Sequence, residues 1–291
     1  MPELPEVEVT RQRIGPLLVG RRIRSVGTTS PSYLFLTRPS ALQRGLVGRT
    51  VRGLARRGKY LVARLDDGAR LVIHLGMTGQ LFSAEATSPR LLSALARSAL
   101  TPEAQRRFRP DAHTHLRLGF EDGGPEVFLR DVRKFGKVLL LPSGGSHPRL
   151  DRLGVDALEL SGQALFAASR GRRVATKALL LDQAVATGIG NIYADEALFR
   201  AGVRPTRPAG SLTRRECMTL AESVRAVLHR SIETGGSSIR DYVAPDGADG
   251  AFQDERRVYA RAGAECYVCG ARIRRVLVAQ RGTHFCPTCQ R

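Results

Sequence analysis

The sequence contains no long apolar run, and it has few acidic residues and few lysines for its length. No segment approaches the roughly 20 consecutive apolar residues that a membrane-spanning helix needs. The chain starts with MPELPEVEV, which is acidic and unlike the basic and then apolar start of a secretory signal. We therefore expect an intracellular, cytoplasmic protein with no membrane partner.

The charge of the chain is strongly one-sided. There are 27 acidic residues against 46 basic ones, which gives a formal net charge of +19. This excess favours a polyanionic partner, and nucleic acid is the leading candidate. Four of the basic residues are lysines, namely Lys59, Lys134, Lys137 and Lys177, and the rest are arginines. Genomic codon bias and selection for phosphate binding explain this skew equally well.

The five cysteines are an odd number in a chain with no secretory start, which argues against a disulfide framework. Four of them form the pairs Cys266-x-x-Cys269 and Cys286-x-x-Cys289, with sixteen residues between the pairs. Paired thiolates at this separation match tetrahedral zinc geometry. We predict one structural zinc ion, because four thiolates leave no open position for a catalytic water. Cys217, inside a helical pattern, is expected to be a buried thiol.

Secondary-structure patterns divide the chain into a strand-rich part and a helical part. A helix over 6–18 is followed by short alternating runs typical of an antiparallel sandwich or barrel. A Ser/Ala/Pro/Arg-rich stretch over 84–111 interrupts them, and we predict a surface insertion that is partly helical over 88–97. After the linker-like run 142–148 the periodicity becomes helical, and the cysteine-rich end alternates around a predicted hairpin turn at Arg281-Gly282.

The N-terminus combines a proline with two carboxylates. Met1 precedes the small residue Pro2 and is expected to be removed, which leaves a free secondary amine. An α-amine titrates near ~8, so much of it is unprotonated at neutral pH and can attack a sugar C1′ to release a base. A carboxyl from Glu3 or Glu6 can serve as general acid. The dipole of any helix also favours acidic residues in its first turn.

Two further features suit an anionic ligand. The turn Thr-Gly-Ile-Gly-Asn over 187–191 leads into a predicted helix, whose backbone amides could bind a DNA phosphate. A plain turn between helices with Asn191 as a cap explains the same residues. The segment from Arg256 onwards has eight arginines and one glutamate, which suits phosphates. A structural zinc ribbon that docks onto protein is the alternative.

Seven motifs then occur in one order: PELPEVE at 2–8, RRGKY at 56–60, HLGMTG at 74–79, RDVRKFG at 130–136, GIGNIYADEALF at 188–199, GGSSIRDYV at 235–243 and QRGTHFCPTCQ at 280–290. Together they resemble the bacterial formamidopyrimidine-DNA glycosylases over nearly the whole chain. The resemblance implies an α+β fold in three parts. These are an N-terminal antiparallel β-sandwich with flanking helices over 1–145, a helix-two-turn-helix domain over 146–255 and a zinc β-hairpin over 256–291.

The resemblance also implies partners and catalytic roles. Damaged double-stranded DNA is the implied partner, with no small-molecule cofactor, and the protein would be bacterial and associated with the nucleoid through DNA. We expect a monomer, because no segment indicates a coiled coil or a dimer interface. Pro2 is similar to the family's Schiff-base nucleophile and Glu3 to its proton donor. Lys59 is similar to the lysine of β-elimination, and Arg281 to the hairpin arginine of δ-elimination.

The remaining implied site residues contact DNA or the damaged base. Met77, Arg133 and Phe135 resemble side chains that fill the gap left by an extruded nucleotide, which offsets part of the lost stacking. Further implied contacts are Glu6, His113, Arg173 and Asn191. A loop closing over the lesion is implied at Ser237, Ser238, Ile239, Arg240, Asp241 and Tyr242.

Two other functions compete with this interpretation. The endonuclease VIII type shares the Pro2 chemistry but prefers oxidised pyrimidines; it starts PEGPE, whereas this chain starts PELPEVE and carries the GGSSIRDYV loop. A non-catalytic zinc DNA-binding protein would explain the charge and the hairpin, but it needs no processed proline beside a carboxyl. We predict a bifunctional DNA glycosylase and abasic-site lyase in base excision repair, acting on 8-oxoguanine and formamidopyrimidines.

Overall fold

The structure is a computed structural model of the 291-residue chain, and it describes residues 2–83, 110–238, 242, 244–246 and 248–291. The chain splits into two compact units: Met1–His147 with Thr234–Ala251, and Pro148–Glu233 with Phe252–Arg291. The three-part division 1–145, 146–255 and 256–291 stays a prediction. The predicted removal of Met1, most of the predicted insertion with its helix, and Ile239, Arg240 and Asp241 lie outside the described residues.

Among its described residues, the first unit contains two helices and eight antiparallel strands. The helices are α1 (Leu4–Ile14), which continues as a short 3-10 turn over Gly15–Leu17, and α2 (Pro39–Leu46). The strands are β1 (Ile23–Thr28), β2 (Val51–Arg57), β3 (Tyr60–Leu65), β4 (Arg70–His74), β5 (Gly79–Ser83), β6 (Thr114–Phe120), β7 (Val127–Asp131) and β8 (Lys137–Leu141). Helix α1 begins two residues earlier than predicted, because Glu3 and Glu6 form a capping box that satisfies its first N–H groups.

The strands form two four-stranded sheets, in the orders β1-β6-β7-β5 and β2-β3-β4-β8. Apolar residues at every second position of β3, β4, β6 and β7 face a shared core. Leu116, Leu118 and Phe120 on β6 meet Leu61, Ala63 and Leu65 on β3 in one cluster. Burying one such large side chain contributes about 1.5–3 kcal/mol. The predicted sandwich is confirmed, and its core explains why the alternation in the sequence is so regular.

The second unit is mainly helical. It contains α3 (Pro148–Asp151), α4 (Gly162–Ser169), α5 (Thr176–Leu181), α6 (Asn191–Arg200), α7 (Arg214–Glu233) and α8 (Phe252–Glu255), with the short parallel pair β9 (Val155–Asp156) and β10 (Ala186–Thr187). The long helix α7 packs against α4 and α6. Leu220, Val224 and Leu228 are among its buried residues. Cys217 is fully buried on α7, as predicted. None of the helices in the described ranges is long and apolar enough to cross a membrane.

The unit ends in a hairpin of β11 (Arg274–Val278) and β12 (Arg281–Phe285). The turn predicted at Arg281-Gly282 is wrong by two residues, because Val278 pairs with Arg281 and the connecting residues are Ala279 and Gln280. Both adopt left-handed backbone angles, with φ of 48° and 59°. Positive φ at both positions is what a two-residue turn needs to match the strand twist. Gly282 is therefore a strand residue, and Arg281 is an exposed residue at the start of β12.

Candidate functional site

The N-terminal turn is buried in the first unit. Pro2 and Glu3 precede α1, and Glu3 is only 2% exposed. The backbone N–H of Glu3 donates to Glu6 Oε2 at 2.8 Å, and the Glu3 side chain accepts from the backbone N–H of Glu6. This reciprocal pair fixes the chain direction at its start. The predicted nucleophile and proton donor thus occupy a buried, hydrogen-bonded turn.

Glu6 also binds the segment that follows α7. Its Oε1 accepts the backbone N–H of Ser237 at 2.9 Å, and its carbonyl oxygen accepts the Tyr242 hydroxyl at 3.1 Å. Burial raises the pKa of Tyr242, so this hydroxyl stays a donor. Gly236 has φ +85, and an added Cβ would lie 3.2 Å from Glu6 Cγ and Oε1. The structure therefore brings Glu3, Glu6, Ser237 and Tyr242 together; Ser238 is buried beside them and accepts the Gly250 N–H.

Lys59 lies in the two-residue turn between β2 and β3. Gly58 takes φ +57 in this turn, and Lys59 is 9% exposed. Arg56 Nη1 donates to the Gly58 carbonyl at 3.2 Å, and its Nε donates to Glu8 Oε2 at 2.9 Å. Burial alone would raise the pKa of Glu8, but hydrogen bonds from Arg11 and Arg56 outweigh it and lower that pKa. The Glu8–Arg56 pair thus joins helix α1 to strand β2, which leads into the turn that carries Lys59.

Asp131 organises the loop that carries two of the predicted gap-filling residues. It is fully buried at the end of β7 and accepts Thr78 Oγ1 at 2.5 Å and the Gly136 N–H at 2.7 Å. The Arg133 N–H contacts both Thr78 Oγ1, at 3.2 Å, and Asp131 Oδ1, at 3.3 Å. Sequence reasoning missed Asp131, although its place between a strand and a Lys-Phe-Gly turn was a usable signal.

The three predicted gap-filling residues lie on two turns in contact. Gly76, with φ +65, abuts the backbone of Phe135 and Gly136, where an added Cβ would lie 2.5 Å from both. Met77 and Phe135 are 37% and 41% exposed, which is unusual for side chains of their size. The Arg133 guanidinium lies over the Phe135 ring, 4.4 Å from its centroid. Met77 and Phe135 are therefore surface residues and not members of the core.

His113 joins this region through its backbone. Its carbonyl oxygen accepts the Asp131 N–H at 2.9 Å, and its own N–H donates to Asp111 Oδ1 at 3.0 Å. The residue is half-buried in the turn that precedes β6. Arg173, the other predicted arginine contact, is exposed in the connection between α4 and α5 of the second unit.

In the second unit, Asn191 is joined to the hairpin. It is the first residue of α6, and its Nδ2 donates to the Gly282 carbonyl at 3.0 Å. Lys177 Nζ donates to the same carbonyl at 3.1 Å and to Thr283 Oγ1 at 2.9 Å. These bonds position the residue after Arg281. The bond to Gly282 uses one of the two N–H groups of the Asn191 amide.

Lys177 belongs to a buried charge cluster that sequence reasoning did not find. Its Nζ lies 2.7 Å from Asp195 Oδ1, and both side chains are fully buried. Asp195 Oδ2 also accepts the backbone N–H of His284 at 2.8 Å. A lysine in the apolar run Thr-Lys-Ala-Leu-Leu-Leu and an aspartate amid Ile-Tyr-Ala and Ala-Leu-Phe were signals of burial. Their pairing was not visible, because the two residues come from different helices.

The four predicted metal ligands converge at the base of the hairpin. The sulfurs of Cys266, Cys269, Cys286 and Cys289 all lie within 4.8 Å of one another. The Cys269–Cys286 and Cys266–Cys289 pairs are 3.4 and 3.9 Å apart. A tetrahedral ion with Zn–S bonds of about 2.3 Å requires sulfurs about 3.8 Å apart. The donor set and its spacing fit one structural zinc ion, as predicted.

Three family models match the chain. The formamidopyrimidine-DNA glycosylase N-terminal domain matches residues 1–138, the H2TH domain of the same family matches 153–243, and a zinc finger found in FPG and IleRS matches 263–291. The chain belongs to the formamidopyrimidine-DNA glycosylase family. The predicted family and its α+β fold are confirmed.

Relatives within this family are similar over their full length. The formamidopyrimidine-DNA glycosylases of Paraburkholderia phymatum and Neisseria meningitidis are 44% and 40% identical, with all of both chains covered. The MutM (Fpg) protein of Thermus thermophilus has a TM-score of 0.83 at 39% identity, covering 99% of this chain and 98% of that one. The structure of Lactococcus lactis Fpg in complex with DNA that contains an abasic site has a TM-score of 0.84 at 34% sequence identity, and the match covers 99% of both chains.

Proposed function

We propose that the protein is a bifunctional DNA glycosylase and abasic-site lyase that removes oxidised purines from duplex DNA in base excision repair. The observation that carries the proposal is the N-terminal turn, where Pro2 and Glu3 are buried and Glu6 binds the Glu3 N–H. A protein that only binds DNA has no need for an ordered proline amine beside a carboxyl. Family membership supports the same chemistry.

The reaction starts with the Pro2 nitrogen, which attacks C1′ of the damaged nucleoside. The bond from C1′ to the base breaks, and the base leaves with the proton that the amine loses. Glu3 then donates a proton to O4′ as the C1′–O4′ bond opens, which leaves an iminium between Pro2 and C1′. Glu6 supports this step through its hydrogen bond to the Glu3 N–H.

The lyase steps follow from the iminium, which acidifies the C2′ protons. Loss of one of them with expulsion of the 3′ phosphate is β-elimination, and we assign Lys59 to it. A second elimination expels the 5′ phosphate. We assign Arg281 to this second elimination and to binding of the phosphate beside the lesion. Asn191, whose amide has a second N–H, would share that phosphate. Water then hydrolyses the iminium and frees Pro2.

The base must leave the helix before this chemistry can begin. Met77, Arg133 and Phe135 would fill the gap, since two exposed apolar side chains and a stacked guanidinium can offset part of the lost stacking. His113 and Arg173 would contact the DNA backbone, and the segment with Ser237, Ser238 and Tyr242 would cover the lesion. Lactococcus lactis Fpg has been solved with DNA that contains Fapy-dG, which supports an oxidised purine as substrate. The net charge of +19 supports phosphate binding.

The zinc ion would hold the hairpin strands in place and take no part in the reaction, because four thiolates close its coordination sphere. The residues on β11 and β12 then bind DNA from a fixed backbone. In this proposal the three parts 1–145, 146–255 and 256–291 supply the catalytic turn, the phosphate-binding helix start and the hairpin arginine. The protein would act as a monomer.

Borohydride trapping tests the proposal. The protein, with its processed N-terminus verified by mass spectrometry, is incubated with an 8-oxoguanine duplex and borohydride, which reduces the iminium to a stable covalent adduct. We expect an adduct that falls about tenfold or more in Pro2→Gly. Pro39→Gly is the matched control, because it makes the same exchange at the start of α2. Glu3→Gln should still trap on abasic DNA, where no base has to leave, but trap poorly on 8-oxoguanine.

The alternatives give different results in the same assay. A dihydrouracil duplex that traps better than 8-oxoguanine would favour the oxidised-pyrimidine activity of the endonuclease VIII type. Absence of an adduct on every duplex, with DNA binding intact and Pro2 free, would reject the glycosylase and favour a non-catalytic zinc DNA-binding protein.

A further inference from the structure

Tyr33 is a large aromatic residue on the surface of the first unit, and its hydroxyl is hydrogen-bonded to the loop that carries Arg133. The residue lies in the connection from β1 to α2 and is 59% exposed. Its hydroxyl donates to the Arg133 carbonyl oxygen at 2.9 Å. The partners are 100 positions apart in the sequence, so this contact exists only in the folded chain.

Lys137 supports the same arrangement from the other end of the loop. Its Nζ lies 5.0 Å from the centroid of the Tyr33 ring and donates to the Gly136 carbonyl at 2.9 Å. A cation at this distance from an aromatic face is attracted to it. The ring is therefore held at its hydroxyl by Arg133 and at its face by Lys137.

The loop needs external support, because its backbone is strained. Lys134 has φ +57, a left-handed angle that is uncommon for a residue with a side chain. Asp131 binds the loop from the buried side through the N–H groups of Arg133 and Gly136. Tyr33 binds it from the exposed side through the Arg133 carbonyl. The peptide groups on both sides of the Arg133 Cα are thus fixed, which sets the direction in which its side chain leaves the backbone.

We infer that Tyr33 is a positioning residue that sets how Arg133 reads the base opposite the lesion. This inference rests on the proposed function, in which Arg133 fills the gap left by the extruded nucleotide and therefore lies beside the base that had paired with it. Cytosine presents two acceptors, N3 and O2, to a guanidinium, whereas thymine presents an N3–H donor at the same place. Discrimination between them depends on a correctly placed donor, because hydrogen bonds weaken steeply with angle. Loss of the hydrogen bond to the Arg133 carbonyl should therefore lower the selectivity for cytosine over thymine more than it lowers the activity itself.

The variant Tyr33→Phe removes the hydroxyl and keeps the ring under Lys137. The matched control is Tyr267→Phe, the same exchange at a tyrosine of the second unit that is 66% exposed. We measure kcat/KM for 8-oxoguanine opposite cytosine and opposite thymine. One lost hydrogen bond corresponds to a fall of about three- to tenfold in the cytosine-over-thymine ratio for Tyr33→Phe. Tyr267→Phe should keep the wild-type ratio.

Amide hydrogen exchange without DNA gives a readout that is independent of the proposed function. Exchange over 132–136 should be faster in Tyr33→Phe than in wild type, and unchanged in Tyr267→Phe. Unchanged exchange would show that the Tyr33 hydroxyl does not stabilise this loop, whatever the activity of the enzyme. Faster exchange with an unchanged ratio in an active enzyme would overturn the link to selectivity. If the wild type forms no borohydride adduct, the proposed function fails, and the selectivity claim falls with it while the exchange result stands separately.

Discussion

The side-chain amide of Asn191 donates a hydrogen bond to the carbonyl oxygen of Gly282 at 3.0 Å, across 91 positions of sequence. This bond joins the first residue of helix α6 to the hairpin strand that begins with Arg281. A residue at a helix start, where free N–H groups attract anions, is thereby fixed beside an exposed arginine. The sequence suggested the helix start at Asn191 and the arginine-rich hairpin as two separate anion sites. In the structure the two are joined by this bond.

Replacing Asn191 tests this arrangement. In Asn191→Asp the donor to Gly282 is lost and a negative charge is added where a phosphate would bind. We expect affinity for a duplex with a stable abasic-site analogue to fall about tenfold or more, as measured by fluorescence anisotropy at fixed salt. Gln43→Glu, an exposed amide-to-carboxylate exchange on α2, is the control for charge alone. Equal losses in both variants would show that only net charge matters.

Replacing Lys177 tests how much the buried charge cluster contributes to stability. In Lys177→Met the Asp195 carboxylate would lose its cation in a fully buried site, and removing one partner of such a pair costs about 3–5 kcal/mol. We expect unfolding at a clearly lower urea concentration and earlier zinc release. Adding Asp195→Asn should recover part of the loss. Arg230→Met removes the cation from an exposed pair with Glu255, and its unfolding midpoint should stay close to wild type.

Zinc content separates the ligand cysteines from the remaining one. We expect one zinc per chain in the wild type and in Cys217→Ser, because Cys217 lies on α7 and outside the cluster of four. Cys289→Ser should lose the metal and, with it, the order of the hairpin, since few apolar residues pack there. Elemental analysis and duplex binding would measure both effects. A metal-free Cys289→Ser with wild-type affinity would contradict a role of the hairpin in binding.

Two glycines allow backbone strain to be separated from close packing. Gly76 and Gly144 have φ of +65° and +69°, so alanine costs about 1–3 kcal/mol of strain at either position. Only at Gly76 would the new Cβ also meet the Phe135 and Gly136 backbone, at 2.5 Å, whereas nothing lies within 4 Å at Gly144. We expect Gly76→Ala to lower the melting temperature more than Gly144→Ala. It should also weaken duplex binding, because Met77 and Phe135 would move apart.

His115 predicts a pH dependence of stability. Burial lowers its pKa below 6.5, with Lys134 and His113 acting in the same direction and the Asp131 contacts opposing them. The unfolded chain therefore binds a proton more readily than the folded one. Stability from this group is complete above about pH 6.5 and is lost as the pH falls through the lower folded value. Between pH 7.5 and 5.5 the melting temperature should fall more steeply in the wild type than in His115→Gln, and parallel slopes would refute this assignment.

Several features could be predicted from the sequence because they depend on short-range patterns. Alternating apolar residues determined the sandwich strands, since a side-chain period of two puts them on one face. The spacing of Cys266, Cys269, Cys286 and Cys289 determined a metal site, because each pair lies within one turn of chain. The position of Pro2 and Glu3 at the chain start likewise needs no tertiary information.

Other features were decided only by the tertiary structure. The hairpin turn lies at Ala279-Gln280 and not at the glycine, because strand pairing outweighed the local preference of Gly282 for a turn. Lys177 reaches Gly282 across 105 positions, and Asp131 collects donors from two separate turns. A buried polar group must find a partner wherever the fold supplies one, and local sequence does not contain that choice. The sequence by itself therefore determined the family, the strands of the sandwich and the four metal ligands, and the packing of the elements decided which buried groups hold the turns and the hairpin in place.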